Sequence, residues 1–438
     1  MNLPVISLLA LAVEVTLSCT TKINVGILGM VLAWIIGVYL AGRPFNEIAA
    51  GFPTGLFLTL VGVTLLFTQA KVNGTLDKIA HRAVRSCRGS LPLIPVMFFF
   101  LACIFGSIGP GSIASAALIG PMAMTVAAQT GIPAFLMAIM VANGANSASL
   151  SPIGPTGIIV NGIMEKMGMP AVPWQNYLIV LAAHAIVAFS GYLVFGGWRL
   201  FRSEDARRQV AVDELAAAAM PAAAQGTVPN GDVPNAARPF QWRHWTTLGV
   251  IVTLITAVIF FGVNVGMGAL AGAVLLVLIG ATDEAQSLRA MPWGPILMVS
   301  GVTVLIAIIE KTGGIDLFSA MLASVSTPQS VTAVIAFLGG TISVYSSTSG
   351  VVLPAFLPTV PGLVERLGGQ DVLPVAWSLI VGSHLVDVSP LSTTGALCIA
   401  AAQSTDVRKL FRQMLAWGMS MAVVAAIGCY IVFGLLWG

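Results

Sequence analysis

Two short stretches gather the side chains best able to do chemistry in this chain: Ser151-Pro152-Ile153-Gly154-Pro155-Thr156-Gly157 and Ser389-Pro390-Leu391-Ser392-Thr393-Thr394-Gly395. Both are rich in hydroxyls, and both carry proline or glycine that ends a helix inside a long apolar run. A helix broken at membrane depth frees N–H groups at one end and carbonyls at the other. Half-helix N-termini suit a carboxylate or other oxyanion. Half-helix C-termini and unwound carbonyls suit a hard cation such as sodium. Two further breaks, Gly109-Pro110-Gly111-Ser112 and Ser346-Ser347-Thr348-Ser349-Gly350, interrupt the apolar stretches 92–128 and 329–364, each too long for one helix. Both stretches read as re-entrant hairpins.

Together the breaks offer the hydroxyls of Ser107, Ser112, Ser147, Ser149, Ser151, Thr156, Ser346, Ser347, Thr348, Ser349, Ser389, Ser392, Thr393 and Thr394, and the amides of Asn143 and Asn146. They contain no Lys or Arg. A dicarboxylate neutralised by co-bound sodium ions fits such a set. Any one of these serines reads equally well as a small residue that lets helices approach. Packing alone, however, does not call for prolines in register in both motifs. Asp387 and His384 interrupt the second broken span, where an ionisable group marks a functional position. Asp387 is a candidate sodium ligand, a coupling-proton carrier, or a cap on a half-helix. His384 falls opposite Asn146 in the first motif and reads as a neutral hydrogen-bonding residue. Glu14, near the middle of the first span, is either a protonated packing residue or part of coupling. His184, in an Ala-rich span, reads as a satisfied interior residue.

The elements that position these groups repeat after about 239 residues. Pro53, Gly55, Gly62-Val63-Thr64, Gly74 and Asp77 answer to Pro292, Gly294, Gly301-Val302-Thr303, Gly313 and Asp316. Gly144, Asn146 and Ser149 answer to Gly382, His384 and Asp387. With 57% hydrophobic and only 8% charged residues, the chain cannot solvate a globular surface. Its apolar runs of about 20 residues exclude a β-barrel. It reads as an all-α polytopic membrane protein. Spans are expected at 3–19, 24–41, 53–70, 133–166, 175–198, 245–264, 266–281, 292–309, 373–401 and 410–437, in addition to the two hairpins. The first 19 residues lack a basic n-region and read as a retained helix rather than a signal peptide. The five cysteines lack metal-ligand spacing, and no His, Cys or acidic cluster has catalytic spacing, so an enzyme is disfavoured. A duplication in so apolar a chain points to a secondary transporter with its site near the bilayer midplane.

Five spans and a hairpin per half make the second half inverted. Charge agrees with that. With 71–88 placed in the cytoplasm, the inner side collects Lys22, Lys71, Lys78, Arg82, Arg85, Arg88, Arg199, Arg202, Arg207, Arg208, Arg238, Arg243, Arg289, Arg408, Lys409 and Arg412. The outer side collects only Arg43, Lys166, Lys311 and Arg366. That positive-inside bias puts both termini outside, in a cell inner (plasma) membrane, and the linker 201–243 in the cytoplasm. The halves are then 1–200 and 244–438.

Gly51-Phe52-Pro53, Gly62-Val63-Thr64-Leu65-Leu66-Phe67 and Asn73-Gly74-Thr75 make residues 1–125 resemble the N-terminal region of MatC-type dicarboxylate (malonate) carriers. The chain as a whole resembles the ion-transporter superfamily that includes the divalent-anion:sodium symporters. The resemblance implies a homodimeric elevator. Its scaffold would be 1–90 and 244–328, including amphipathic arms 71–90 and 310–328, and its moving part 91–200 and 329–438. It also implies where ligands go. Sodium would sit between the first tip (Ser107) and Asn143, Asn146 and Ser149, and between the second tip (Ser346, Ser349) and His384, Asp387 and Ser389. Substrate would be held by Gly111, Ser112, Asn146, Pro155, Thr156, Ser347, Thr348, Ser349, Ser392, Thr393 and Thr394. In the symporter relatives each tip carries Ser-Asn-Thr. Here the tips read Pro110-Gly111-Ser112 and Ser347-Thr348-Ser349, without the Asn. The function implied is a sodium-coupled importer of malonate or a C4 dicarboxylate. The alternative is a proton-coupled carrier or exchanger using Asp387 or Glu14.

Overall fold

The computed structural model describes residues 2–21, 23–79, 91–197, 240–369, 371–402 and 406–437. Most of the basic connector 71–90 and almost all of the linker 201–243 lie outside the described residues, as does Cys87. Among the described residues the structure is helical, with no strand. Helices form where the apolar runs begin and stop where proline, glycine or a polar cap interrupts them. In chain order they are α1 (Leu3–Thr20), α2 (Val25–Trp34, continued by a π turn to Leu40), α3 (Phe45–Ala49) and α4 (Thr54–Val72). Then come α5 (Leu93–Ile108), α6 (Gly111–Thr130), α7 (Ala134–Ser147), α8 (Pro155–Lys166) and α9 (Pro173–Val194). The second half has α10 (Trp242–Phe261), α11 (Val265–Leu278), α12 (Glu284–Ala290), α13 (Trp293–Lys311) and α14 (Gly314–Ser324). It ends with α15 (Val331–Ser343), α16 (Leu353–Phe356), α17 (Val360–Arg366), α18 (Val372–Leu385), α19 (Thr393–Ala400) and α20 (Val407–Cys429).

Six helical segments among the described residues are long and apolar enough to cross a bilayer: 54–72, 111–128, 173–194, 293–311, 372–400 and 407–436. Shorter apolar helices include 25–40, 93–108, 134–147 and 265–278. Large apolar side chains such as Leu9, Ile27, Val31, Phe260, Leu278 and Leu436 face outward. A water-facing surface would not tolerate that many; lipid would.

Caps and glycine contacts in one half recur in the other. Asn24 Oδ1 accepts from Gly26 N at 3.0 Å to start α2, and Asn264 Oδ1 accepts from Met267 N at 3.0 Å to start α11. The helices these asparagines start then pack across the halves, α2 on α13 and α11 on α4. The crossings run through glycine. A Cβ at Gly301 would strike the Gly26 carbonyl, and one at Gly62 would strike the Gly266 carbonyl. Backbones can approach this closely only where neither carries a side chain. Likewise α5 packs on α7 through Gly144 against Phe99 O, and α15 on α18 through Gly382 against Ala336 O.

Helices α5–α9 and α15–α20 also pack on one another: α9 touches α18, α19 touches α6 and α7, and α20 touches α7. Trp377 Nε1 donates to Asn176 Oδ1 at 2.8 Å across that interface. At one end of the molecule Glu47 of α3 pairs with Arg43 and, at 2.9 Å, with Lys311 at the end of α13. The Lys311 hydrogen bond, followed by Arg43, holds the Glu47 carboxyl below its ordinary value.

Candidate functional site

Proline and glycine set the backbone of each break. In the first hairpin α5 stops at Ile108 and α6 starts at Gly111. Gly109 (φ 143°) and Gly111 (φ 80°) take backbone angles that other L-residues rarely adopt. A Cβ at Gly109 would enter the Phe67 ring of α4, and one at Gly111 would come 3.2 Å from Pro155 Cδ. The tip is therefore wedged between α4 and the start of α8. Ser115 Oγ ties the two limbs together, donating to Ala102 O at 2.6 Å. In the second hairpin the chain turns after Ser343, and Ser347 Oγ accepts from Gly350 N at 3.1 Å to begin the π turn Thr348–Val352.

The two heptapeptides build one structure twice. In the first, Gly154 N donates to Ser151 O at 2.9 Å; in the second, Ser392 N donates to Ser389 O at 3.0 Å. The closing glycines explain the last position of the motif. A Cβ at Gly157 would strike Ser151 O, and one at Gly395 would strike Ser389 O. Each second half-helix thus presses its first turn onto the serine that ends the link.

These four turns meet around one cavity of about 190 Å³. Its walls include Ser112 at the start of α6, Thr156 at the start of α8, Ser346–Ser349 at the second tip, and Ser392–Thr394 at the start of α19. Ser149 and Asp387 come from the links after α7 and α18, and His384 from the last turn of α18, where helices end and carbonyls are freed. Residues from the first turns of four helical segments thus line the cavity, and most of them carry hydroxyls. Among its described lining residues Asp387 is the one carboxyl group, and none is Lys or Arg.

Asp387 lies in the 3-10 turn Val386–Val388. Ser343 Oγ approaches its Oδ1 at 3.4 Å, a long contact, and Ser343 is also in close hydrogen-bond contact with Thr348. Thr348 Oγ1 donates to Ser383 O at 3.2 Å, and Ser392 Oγ to the Asp387 carbonyl. His384 Nδ1 lies 2.9 Å from Ile380 O. A carbonyl can only accept, so Nδ1 carries the hydrogen and the neutral ring keeps Nε2 as an acceptor.

Other expected residues are placed differently. Gly111 and Pro155 line a second cavity, of about 240 Å³, that adjoins the first. Asn146 is buried behind the first cavity; its Oδ1 accepts from Thr394 Oγ1 at 3.3 Å, and its Nδ2 has no hydrogen-bond partner among the described residues. Ser389 is buried beneath Gly418 of α20 and lines neither cavity. Ser107 is occupied by Cys103 O (2.7 Å) and Tyr177 Oη (2.9 Å). Asn143 is occupied by Ile139 O (2.8 Å) and His184 Nδ1 (2.9 Å). Neither residue is among those lining the cavity. Glu14 lies away from both cavities, fully buried against Gly29, and neither of its oxygens has a hydrogen-bond partner among the described residues. Ile113, Met298, Tyr345 and Leu391 complete the walls and were not evident in the sequence. Among the described residues no three His, Cys, Asp or Glu side chains gather as a metal centre would require.

Comparison with known proteins bears on the identity of this architecture. Residues 1–149 match the family model "Dicarboxylate carrier protein MatC N-terminus". No curated protein matches the chain in sequence. Among solved structures, the YdaH transporter of Alcanivorax borkumensis is similar, with TM-score 0.57 and 17% identity over 90% of this chain and 88% of that one. MtrF of Neisseria gonorrhoeae, described as illuminating a class of antimetabolite efflux pumps, is similar with TM-score 0.59 and 12% identity over 92% and 85%. The N-terminal third thus matches a dicarboxylate carrier family model, and the fold is shared with two membrane transporters.

Proposed function

We propose that this chain is a secondary active carrier of a small dicarboxylate, malonate or a C4 acid, driven by sodium. One observation carries the reading: the first turns of two hairpins and two broken helices line a single cavity whose described walls contain Asp387 and neither Lys nor Arg. Converging helix N-termini and hydroxyls stabilise a carboxylate without a fixed cation. A dianion placed there without a countercharge is costly in a low-dielectric site. Asp387, Ser149 and the freed carbonyls beside them supply oxygen ligands of the kind a hard cation takes. Sodium is then cargo and countercharge at once.

The mechanism follows from the pairing of elements. The duplicated caps and reciprocal glycine crossings are what inverted repeats would produce, with both termini outside and the linker cytoplasmic. In an elevator, α1–α4 and α10–α14 would form a stationary, dimeric scaffold. The hairpins and broken helices would carry the loaded cavity across it. The MatC family match over residues 1–149 supports the dicarboxylate class.

The test is uptake of radiolabelled malonate and succinate into proteoliposomes after a sodium jump. Sodium-dependent, saturable uptake with more than one ion per substrate is expected. Full uptake in sodium-free buffer driven by a pH gradient would instead favour the proton-coupled reading. One observation speaks for that second reading: Glu14, buried with no hydrogen-bond partner on either oxygen among the described residues, is suited to carry a proton.

A further inference from the structure

The polar cavity does not end at the hairpin tips. Ser112, Ile113, Thr156 and Ser349 also line the second cavity, so the two are compartments of one chamber. The second compartment runs along α4. Leu60, Thr64, Phe67, Thr68 and Lys71 all line it, at i, i+4, i+7, i+8 and i+11, which is one face of the helix. Eleven residues span about 16 Å along the axis. Facing them are Pro292, Pro295, Ile296 and Val299 at the start of α13. The first tip fixes where the compartments join, because Gly109 rests on Phe67. Lys71 lies one turn beyond Phe67, on a flexible four-carbon stem.

The chamber is thus electrically polarised. Among the described residues lining its two compartments, Asp387 is the one carboxyl group and Lys71 the one ammonium group, one in each. Apolar side chains, Leu60, Phe67, Ile159, Ile296 and Val299, border the second compartment. The lysine is not a packing device copied by the duplication, because its counterpart in the second half is Glu310. Asp77 is the acidic group that feels its charge: burial raises the Asp77 carboxyl and Lys71 opposes that rise.

Resting on the carrier reading above, we infer that Lys71 is a specificity residue that receives the distal carboxylate of the substrate. The proximal carboxylate binds among the helix N-termini with sodium at Asp387. The substrate's carbon spacer lies against the apolar wall, and the second charge meets the ammonium. Such a chamber selects an α,ω-dicarboxylate over a monocarboxylate of the same length, because a monoanion leaves the lysine without its partner.

The experiment is equilibrium binding to the full chain in detergent and sodium, with malonate, succinate and their monomethyl esters as ligands. The wild-type protein and the Lys71→Gln and Lys71→Arg variants are compared. Loss of a charge-assisted contact weakens binding by about tenfold. Lys71→Gln is therefore expected to cost the diacids about tenfold and the monoesters less than twofold, while Lys71→Arg keeps most of the preference. Equal losses for diacid and monoester, or no loss for either, would overturn the role of Lys71 and leave the carrier reading standing. Wild-type protein that binds neither diacid would overturn the carrier reading and this inference with it.

Discussion

Replacing Asp387 by Asn separates structure from charge at the one acidic group among the described residues of the polar cavity. The side chain keeps its shape and an acceptor oxygen, so the structural loss is small. Its contact to Ser343 Oγ is 3.4 Å, beyond the usual 2.5–3.0 Å of an O–H···O bond, and such a contact is worth at most about 1 kcal/mol. The variant should therefore fold, with a thermal midpoint close to wild type. If the carboxylate ligates sodium, removing its charge raises the sodium concentration for half-activation. A coupling free energy of about 1–3 kcal/mol converts to roughly 5- to 150-fold. Substrate affinity at saturating sodium should then recover, since the loss reaches substrate only through the ion. Sodium activation curves for succinate uptake, measured at two pH values, decide the matter. A coupling-proton role predicts instead that the pH dependence of uptake disappears while the sodium curve stays put. A cap on the link predicts no change in either, because Asn caps about as well as Asp. An unchanged sodium curve would remove Asp387 from the cation ligands.

Two stability predictions follow from the packing. Gly301→Ala should destabilise by about 1–3 kcal/mol or more, since its methyl meets the Gly26 backbone where α2 and α13 cannot part without opening the glycine crossing. Gly294→Ala in the same helix meets nothing within 4 Å and should be neutral or slightly stabilising; equal thermal midpoints for the two variants would refute the close-crossing argument. Glu47→Gln should lower the midpoint at neutral pH, because the Lys311 and Arg43 contacts depress the folded-state pKa of Glu47. A depressed pKa contributes stability above the unfolded value, about 4.3, that is lost as pH falls through the folded value. The gap between variant and wild type should therefore close in acid, and a gap that persists unchanged to pH 3 would rule out the ion pair as its source.

The helix breaks were legible in the sequence because their causes are local. Proline lacks the N–H, and glycine alone takes the positive φ at positions 109 and 111, so α5, α7 and α18 end near where composition places them. Hydroxyls beside those breaks reach the cavity because first-turn residues such as Thr156 and Thr393 must follow the helix start. What could not be read depends on packing between distant segments. Ser107 and Asn143 have the right chemistry, yet Tyr177 and His184 from α9 engage them first. Met298 and Tyr345 line the cavity only because α13 and the second tip meet there. Lys71 reads as the first residue of the basic connector 71–90 until the Phe67–Gly109 contact sets the chamber beside it.

The two halves keep the same backbone devices and differ in the side chains those devices present. Gly157 and Gly395 press on equivalent carbonyls, as do Gly144 and Gly382 and the crossings at Gly26 and Gly62. Those contacts allow almost no substitution, since any added carbon collides with main chain. In the sequence repeat, Ser149 corresponds to Asp387, Asn146 to His384, and Lys71 to Glu310. Each of these pairs changes charge or hydrogen-bonding character while the fold around it is unchanged. A symmetric frame with symmetric ligands would offer two equal poses to a dianion and no distinction between its ends. Unequal charges break that degeneracy, with the acidic end beside the freed carbonyls and the basic end along α4. In the proposed carrier, the direction of binding would reside in these unequal pairs, with the frame holding them apart.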